Sequence, residues 1–148
     1  MIIHGDGSPT RRYLYGGDAA DAFDFVLSKG VVGQIYNVGS AAEVANLDLC
    51  KHLLTEFKYP VETEADVLEH IVFVRDRPFN DHRYAVNGDK LKTLGWTQNT
   101  PFDVGLKATV KWYQTYGESW WGNISPALTA YPVAVQDSAG HASLEVAK

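Results

Sequence analysis

The sequence has little that would cross-link it or tie it to a membrane or a nucleic acid. It holds one cysteine, Cys50, so no internal disulfide can form. No apolar run approaches the roughly 20 residues that a membrane-crossing helix needs, and the first residues do not follow the basic, apolar, small-residue order of a signal peptide. The expected compartment is therefore the cytoplasm, with no membrane partner. Thirteen Lys and Arg residues stand against eighteen Asp and Glu, a formal net charge of -5. The basic residues are dispersed, so there is no stripe to neutralise a phosphate backbone and nucleic acid is not an expected partner. The five histidines, His4, His52, His70, His82 and His141, show no pair at metal-ligand spacing and no cysteine companions. No metal site is expected from them.

What is present is the composition of one globular domain: 45% hydrophobic and 21% charged over 148 residues. Met1 to Thr10 reads as a strand end falling into a Gly/Pro turn cluster. Asp18 is suited to cap a helix in which Ala19, Ala22, Phe23, Val26 and Leu27 recur at helical spacing, ending at Lys29 and Gly30. Gln34 to Gly39 is rich in β-formers and bounded by glycines, which predicts a short strand. Asn46 is placed to cap a second helix with Leu47, Cys50, Leu54 and Phe57 on its apolar face, so Cys50 is expected in the core.

Val61 to His70 is acidic and ambiguous. Ile71 to Val74 predicts a strand, Tyr84 to Val86 a brief one, and Asp89 to Leu94 a short helix closed by Gly95. Thr100 and Pro101 read as a helix start, with Phe102, Leu106, Val110 and Tyr113 as its buried stripe. Strands alternating with helices argue for α/β, but two or three strands cannot build a complete doubly wound sheet. We expect a binding portion over residues 1–123 and a flexible tail over 124–148.

Two segments carry candidate chemistry. Gly5, Asp6 and Gly7 lack the third glycine of a dinucleotide fingerprint and no helix follows directly, so they read as a turn. Beyond them, Arg11 and Arg12 precede Tyr13. An arginine offers a planar fork of donors that can grip phosphate oxygens through two parallel hydrogen bonds, although two adjacent arginines taken alone are more often solvated surface. The second segment, Arg75 to Tyr84, is the densest polar cluster and follows an apolar strand. In open α/β sheets ligands bind outside the carboxyl ends of strands. A salt-bridged surface loop is the bland alternative. His82 reads as a hydrogen-bonding residue rather than an acid or base, and Trp96, Trp112, Trp120 and Trp121 as core packing.

Five runs then make the sequence specific: His4 to Tyr15, Asp18 to Phe23, Ile35 to Gly39, Asp76 to Tyr84, and Leu94-Gly95-Trp96 with the helix containing Trp112 and Tyr113. Through them the chain resembles the extended short-chain dehydrogenase/reductase (SDR) family and, within it, the nucleotide-sugar 4,6-dehydratases acting on dTDP- or UDP-glucose. The resemblance covers Met1 to about Leu128. Asp76-Arg77-Pro78 followed by Asp81, Arg83 and Tyr84 is its most specific part. The resemblance implies the C-terminal part of an extended SDR, Rossmann-type fold: an incomplete parallel sheet with a small α/β substrate-binding region.

It further implies that Arg11 holds the nucleotide diphosphate, that Asn46 lies in the nucleotide pocket, and that Arg77 and Asn80 sit in a loop closing over the nucleotide with Tyr84 behind it. Phe79-Asn80 resembles the plant UDP-glucose enzymes, where bacterial dTDP enzymes commonly have Gly-His, and Trp120-Trp121-Gly122 also resembles the end of the plant domain. The expected substrate thus leans towards UDP-glucose.

The family reaction implies NAD, which takes hydride from C4 of the hexose; water is then lost across C5 and C6, and hydride returns to C6. Oxidation at C4 acidifies the C5 proton and so makes the elimination feasible. The residues that perform this in the family are a glycine fingerprint, a Tyr-x-x-x-Lys pair and an Asp-Glu acid/base pair, expected upstream of Met1. No Tyr-x-x-x-Lys occurs among the 148 residues. No catalytic residue is therefore assigned in the chain and NAD is not expected to bind it alone.

The expected partners are a nucleotide sugar, the N-terminal cofactor domain and, as is usual in the family, a second copy. The isolated chain is expected to expose apolar surface and to be aggregation-prone. A non-catalytic nucleotide-sugar-binding or interaction module is the alternative from another functional class. An epimerase or decarboxylase of the same superfamily is the alternative among enzymes, against which the loop over 76–84 argues.

Overall fold

The computed structural model describes residues 1–125, 132–136 and 142–146. In chain order the elements are β1 (Ile2–His4), β2 (Thr10–Arg12), α1 (Gly16–Lys29), β3 (Glu43–Ala45), α2 (Asn46–Glu56), α3 (Glu64–Leu68), β4 (Val72–Val74), α4 (Asp89–Leu94), α5 (Phe102–Trp121), β5 (Pro132–Gln136) and β6 (Ala142–Val146). The strands form three two-stranded sheets: β1 with β4, β2 with β3, and β5 with β6. The first is parallel, with Ile2 opposite Val72 and His4 opposite Val74. The second is an antiparallel ribbon with Thr10 opposite Ala45 and Arg12 opposite Glu43.

Two small cores lie among the described residues. Ile3 of β1 packs with Cys50 and Leu54 of α2, Val67 of α3 and Ile71 at the edge of β4, so Cys50 is core as expected, and burial pushes its thiol pKa up. In the second core, Ala22 of α1 meets Leu91 of α4 and Trp96, with Phe25, Val26, Tyr36 and Val38 packed around them. Leu91 is fully buried, and burying a leucine that completely contributes roughly 1.5–3 kcal/mol. The helix over 89–94 and its end at Gly95 fall where the sequence placed them, because Gly95 takes φ +119, a conformation open to glycine without steric cost.

Several expectations are corrected. Gln34 to Gly39 is not a strand. It runs beside residues 86–88, but it is held there by Asn37 Nδ2 donating to Asn87 O at 3.3 Å and by Lys90 Nζ donating to Ile35 O at 2.8 Å. A strand needs a ladder of backbone partners, and the 84–86 segment that might supply one is not a strand either. Only Arg83, just before it, makes an isolated bridge, to Thr10. The chain carries more strands than the two or three expected, because β2 and β3 lacked the apolar alternation that announces a strand.

Asn46 is the first residue of α2 and not its cap; Ala45 occupies the cap position directly at the end of β3, leaving no connecting residue. Asp18 does not cap α1, which begins two residues earlier at Gly16. Its buried carboxylate instead accepts from Thr100 N at 3.0 Å and Thr100 Oγ1 at 2.9 Å, tying the start of α5 to α1. Pro101 is the cap of α5 and Phe102 its first residue. The ambiguous acidic stretch contains α3, whose start is fixed by a capping box between Thr63 and Asp66.

The apolar faces are less covered than their periodicity implied. Phe23 and Leu27 of α1 are 63% and 86% exposed, because the apolar arc of that helix is wider than its contact with α4 and Trp96. Phe57, Tyr113, Trp120 and Trp121 are also exposed, whereas Trp96 is buried. Trp112 stacks edge-on with Tyr113 and Trp120 along α5. Of the tail over 124–148, the described segments beyond Ser125 are the antiparallel pair β5 and β6; the rest of it lies outside the described residues. Among the described residues no helix is long and apolar enough to cross a membrane.

Candidate functional site

Two loops leave the carboxyl ends of the parallel pair: 5–9 after β1 and 75–84 after β4. They are laced together at once, with Gly5 N donating to Val74 O at 3.0 Å. Gly5 has φ +71, and a Cβ there would stand 3.0 Å from the Asp76 carboxylate, so the close approach of the two loops requires glycine. The longer loop then returns along β2, where Thr10 N donates to His82 O at 2.8 Å.

Within this frame four of the five expected site residues converge. Arg11 lies on β2, and its guanidinium donates to Thr10 O at 2.7 Å, to His82 O at 3.3 Å and to Asn80 Oδ1 at 3.3 Å. Arg77 donates to the same Asn80 oxygen at 2.9 Å. The amide is oriented by Asp76, whose Oδ1 accepts from Asn80 Nδ2 at 2.9 Å and from Arg77 N at 2.8 Å. The Tyr84 ring lies under the Arg11 guanidinium at 4.7 Å, a cation–π distance. Its hydroxyl donates to Asp81, and that bond, with the nearby negative charge, raises the phenol pKa.

Asn46, the fifth, opens α2 beside this group. Its backbone N–H donates to Pro9 O at 3.1 Å and its side chain is not among the bonds that join the other four. His82 contributes its carbonyl as an acceptor, and its ring Nε2 is 3.4 Å from Ser8 Oγ, which itself donates to Asp6.

The charges on the two sides of β2 differ sharply. Successive strand residues point to opposite faces. On one face Glu43 accepts from Arg83 at 2.5 and 2.7 Å, a two-pronged pair, and also from Thr10 Oγ1 at 3.0 Å and Arg12 Nε at 3.3 Å. The hydrogen bond from Arg83, followed by that from Thr10, holds the Glu43 pKa down at about 2. On the other face Arg11 and Arg77 share a neutral amide oxygen. The ion pairs among the described residues are Arg12–Glu43, Arg83–Glu43 and Lys51–Asp48, and neither Arg11 nor Arg77 belongs to one. Two guanidinium groups gathered on neutral acceptors keep donors and charge of the kind that phosphate oxygens accept.

Sequence reasoning missed Glu43 and Asp76. Asp76 stood inside the motif already singled out, but its role depends on the amide it orients. Glu43 is 31 residues from Arg12 in sequence and 40 from Arg83, and only the β2–β3 pairing brings them together.

Comparison with known proteins shows the family. The family model described as GDP-mannose 4,6 dehydratase matches residues 1–109. The chain is 45% identical over 132 residues to a trifunctional UDP-glucose 4,6-dehydratase/UDP-4-keto-6-deoxy-D-glucose 3,5-epimerase/UDP-4-keto-L-rhamnose-reductase of Arabidopsis thaliana, covering 89% of this chain and 19% of that protein. It is 38% identical over 131 residues to the dTDP-D-glucose 4,6-dehydratase of Homo sapiens, covering 88% of this chain and 37% of that one.

Among solved structures it superposes on the dTDP-glucose 4,6-dehydratase of Bacillus anthracis in complex with NAD with a TM-score of 0.68 and 36% identity, over 81% of this chain and 36% of that one. The chain thus spans from about a fifth to just over a third of the length of these proteins. The family model over residues 1–109, these relatives and the fold together show that the chain belongs to the nucleotide-sugar 4,6-dehydratases of the extended SDR family, of whose length it matches a part.

Proposed function

We propose that the chain is the substrate-binding part of an NAD-dependent dTDP- or UDP-glucose 4,6-dehydratase, in which Arg11 and Arg77 grip the diphosphate of the nucleotide sugar. The observation that carries this reading is the convergence of Arg11, Arg77, Asn80 and Tyr84 outside the carboxyl ends of β1 and β4, with no carboxylate among the described residues paired to either arginine. Asn80 sets the spacing of the two guanidinium groups, and Tyr84 carries Arg11 on its ring face. Asn46, at the start of α2, is assigned to the nucleoside side of the ligand. The 45% identity to a plant enzyme named for UDP-glucose favours a uridine over a thymidine nucleotide.

The residues present do not fit NAD: the chain contains neither a three-glycine dinucleotide fingerprint nor a Tyr-x-x-x-Lys pair. Hydride transfer and elimination are assigned to no residue of this chain. Its own residues bind and orient the substrate.

Calorimetric titration of the purified chain with UDP-glucose, dTDP-glucose and NAD tests this directly. A nucleotide sugar should bind and NAD should not. Arg11→Ala should weaken the nucleotide sugar by roughly tenfold to a hundredfold, the scale of a charged hydrogen-bond set worth about 1.5–3 kcal/mol. Nucleotide-sugar binding that Arg11→Ala leaves untouched would sink the assignment.

A further inference from the structure

Two residues other than glycine take a positive φ among those described, Lys58 at +65 and Phe79 at +61. The first is accounted for by its place. Lys58 follows the end of α2, where Lys58 N donates to Thr55 O and Tyr59 N to Leu54 O, an ordinary left-handed helix termination. Phe79 terminates no helix. It is the second central residue of the Pro78–Phe79 turn, a position where a left-handed backbone is normally supplied by glycine or asparagine.

Phe79 is also fully exposed, at 102%. A large aromatic ring is thus held in water on a backbone conformation that disfavours it, and the turn would form more readily without the ring. Such an outlier points to a task outside the folded chain itself. Its neighbours indicate the task, since Arg77 and Asn80 flank the turn and belong to the network on Arg11.

We infer that Phe79 is a ligand-contacting residue whose ring stacks on the pyrimidine base of the nucleotide sugar seated on Arg11 and Arg77, an inference that rests on the diphosphate reading of that site. A flat apolar ring with no hydrogen-bonding group matches the face of a base, and the C–H face of the hexose is the competing surface that titration with UDP separates from it. Stacking of a base on an aromatic side chain is tolerant of base identity. Phe79 therefore contributes affinity for the nucleotide without choosing between uracil and thymine.

The test exploits opposite signs. Phe79→Gly relieves the backbone and removes the ring, so its thermal midpoint should be equal to or above that of the unsubstituted chain. Its affinity for both UDP-glucose and UDP, measured by calorimetric titration, should fall roughly tenfold or more. Phe79→Tyr, which keeps the ring, should bind as the unsubstituted chain does. Unchanged affinity in Phe79→Gly would overturn the inference while leaving the Arg11 site intact. A loss for UDP-glucose alone, with UDP unaffected, would move the ring to the hexose and overturn the base contact. If the unsubstituted chain binds neither ligand, the diphosphate reading fails and the inference with it. A lower midpoint in Phe79→Gly with unaltered affinity would make the ring a packing group.

Discussion

Arg11 and Arg12 are neighbours on one short strand and have opposite fates. The strand turns them to opposite faces of the β2–β3 ribbon. Arg12 meets Glu43, which also takes both prongs of Arg83 and the Thr10 hydroxyl. Arg11 meets two carbonyls, an amide oxygen and an aromatic ring. Arg12 is paired to a carboxylate that it shares with Arg83, whereas Arg11 is paired to none among the described residues. The comparison teaches that residue type alone does not announce an anion site. What sets Arg11 apart is what the fold withholds from it among the described residues, namely a carboxylate.

The largest effect that could break this comparison is on ligand affinity. Arg11→Ala should cost most of the nucleotide-sugar binding, while Arg12→Ala, titrated beside it, should leave affinity within about twofold, because a partly screened surface ion pair has little to lose. The thermal midpoints should rank the other way, with Arg12→Ala lowered slightly and Arg11→Ala nearly unchanged. Equal losses of affinity in the two variants would mean that the two faces act as one positive field and that the contrast between them is not functional. A sharper version uses Arg11→Lys. The charge is kept but the planar fork is lost, so the affinity should fall between those of the unsubstituted chain and Arg11→Ala.

How much of this was legible in the sequence follows the range of the interactions. The helix over 89–94 ending at Gly95, the strand at Val72–Val74 and the core position of Cys50 depend on local patterning, and the fold agrees with them. Arg77, Asn80 and Tyr84 share one loop, and Arg11 was marked by its guanidinium chemistry and by the family likeness. The β2–β3 ribbon was not legible, because three polar or mixed residues per strand carry no alternation. Glu43 was invisible with it.

Gln34 to Gly39 failed in the opposite direction. Its β-formers were real, but a strand also requires a partner, and the residues beside it offer the Asn87 carbonyl to the Asn37 side chain and the Lys90 ammonium in place of a ladder. The exposure of Phe23 and Leu27 belongs to the same class, since periodicity gives the width of an apolar face but not what is present to cover it.

The smallest effect sharpens the side that holds Glu43. The folded-state pKa of Glu43 is depressed to about 2 from an ordinary value near 4.5. In the unfolded chain the carboxyl binds its proton at the ordinary pH, whereas in the folded chain it resists protonation until far lower. Its contribution to stability is therefore fully present above pH 4.5 and disappears as the pH falls from there towards 2. Because the pair is solvent-exposed, the effect on the thermal midpoint should be modest and should shrink in high salt.

Glu43→Gln keeps the size and one acceptor oxygen but cannot titrate. The midpoint of the unsubstituted chain should exceed that of Glu43→Gln at pH 6, and the gap should narrow steadily as the pH is lowered from about 4.5 towards 2. A gap that stayed constant across that window would mean that the carboxylate charge contributes nothing and that the Arg83 and Arg12 contacts act only as neutral hydrogen bonds. The distinction between the two faces of β2 would then rest on Arg11 alone.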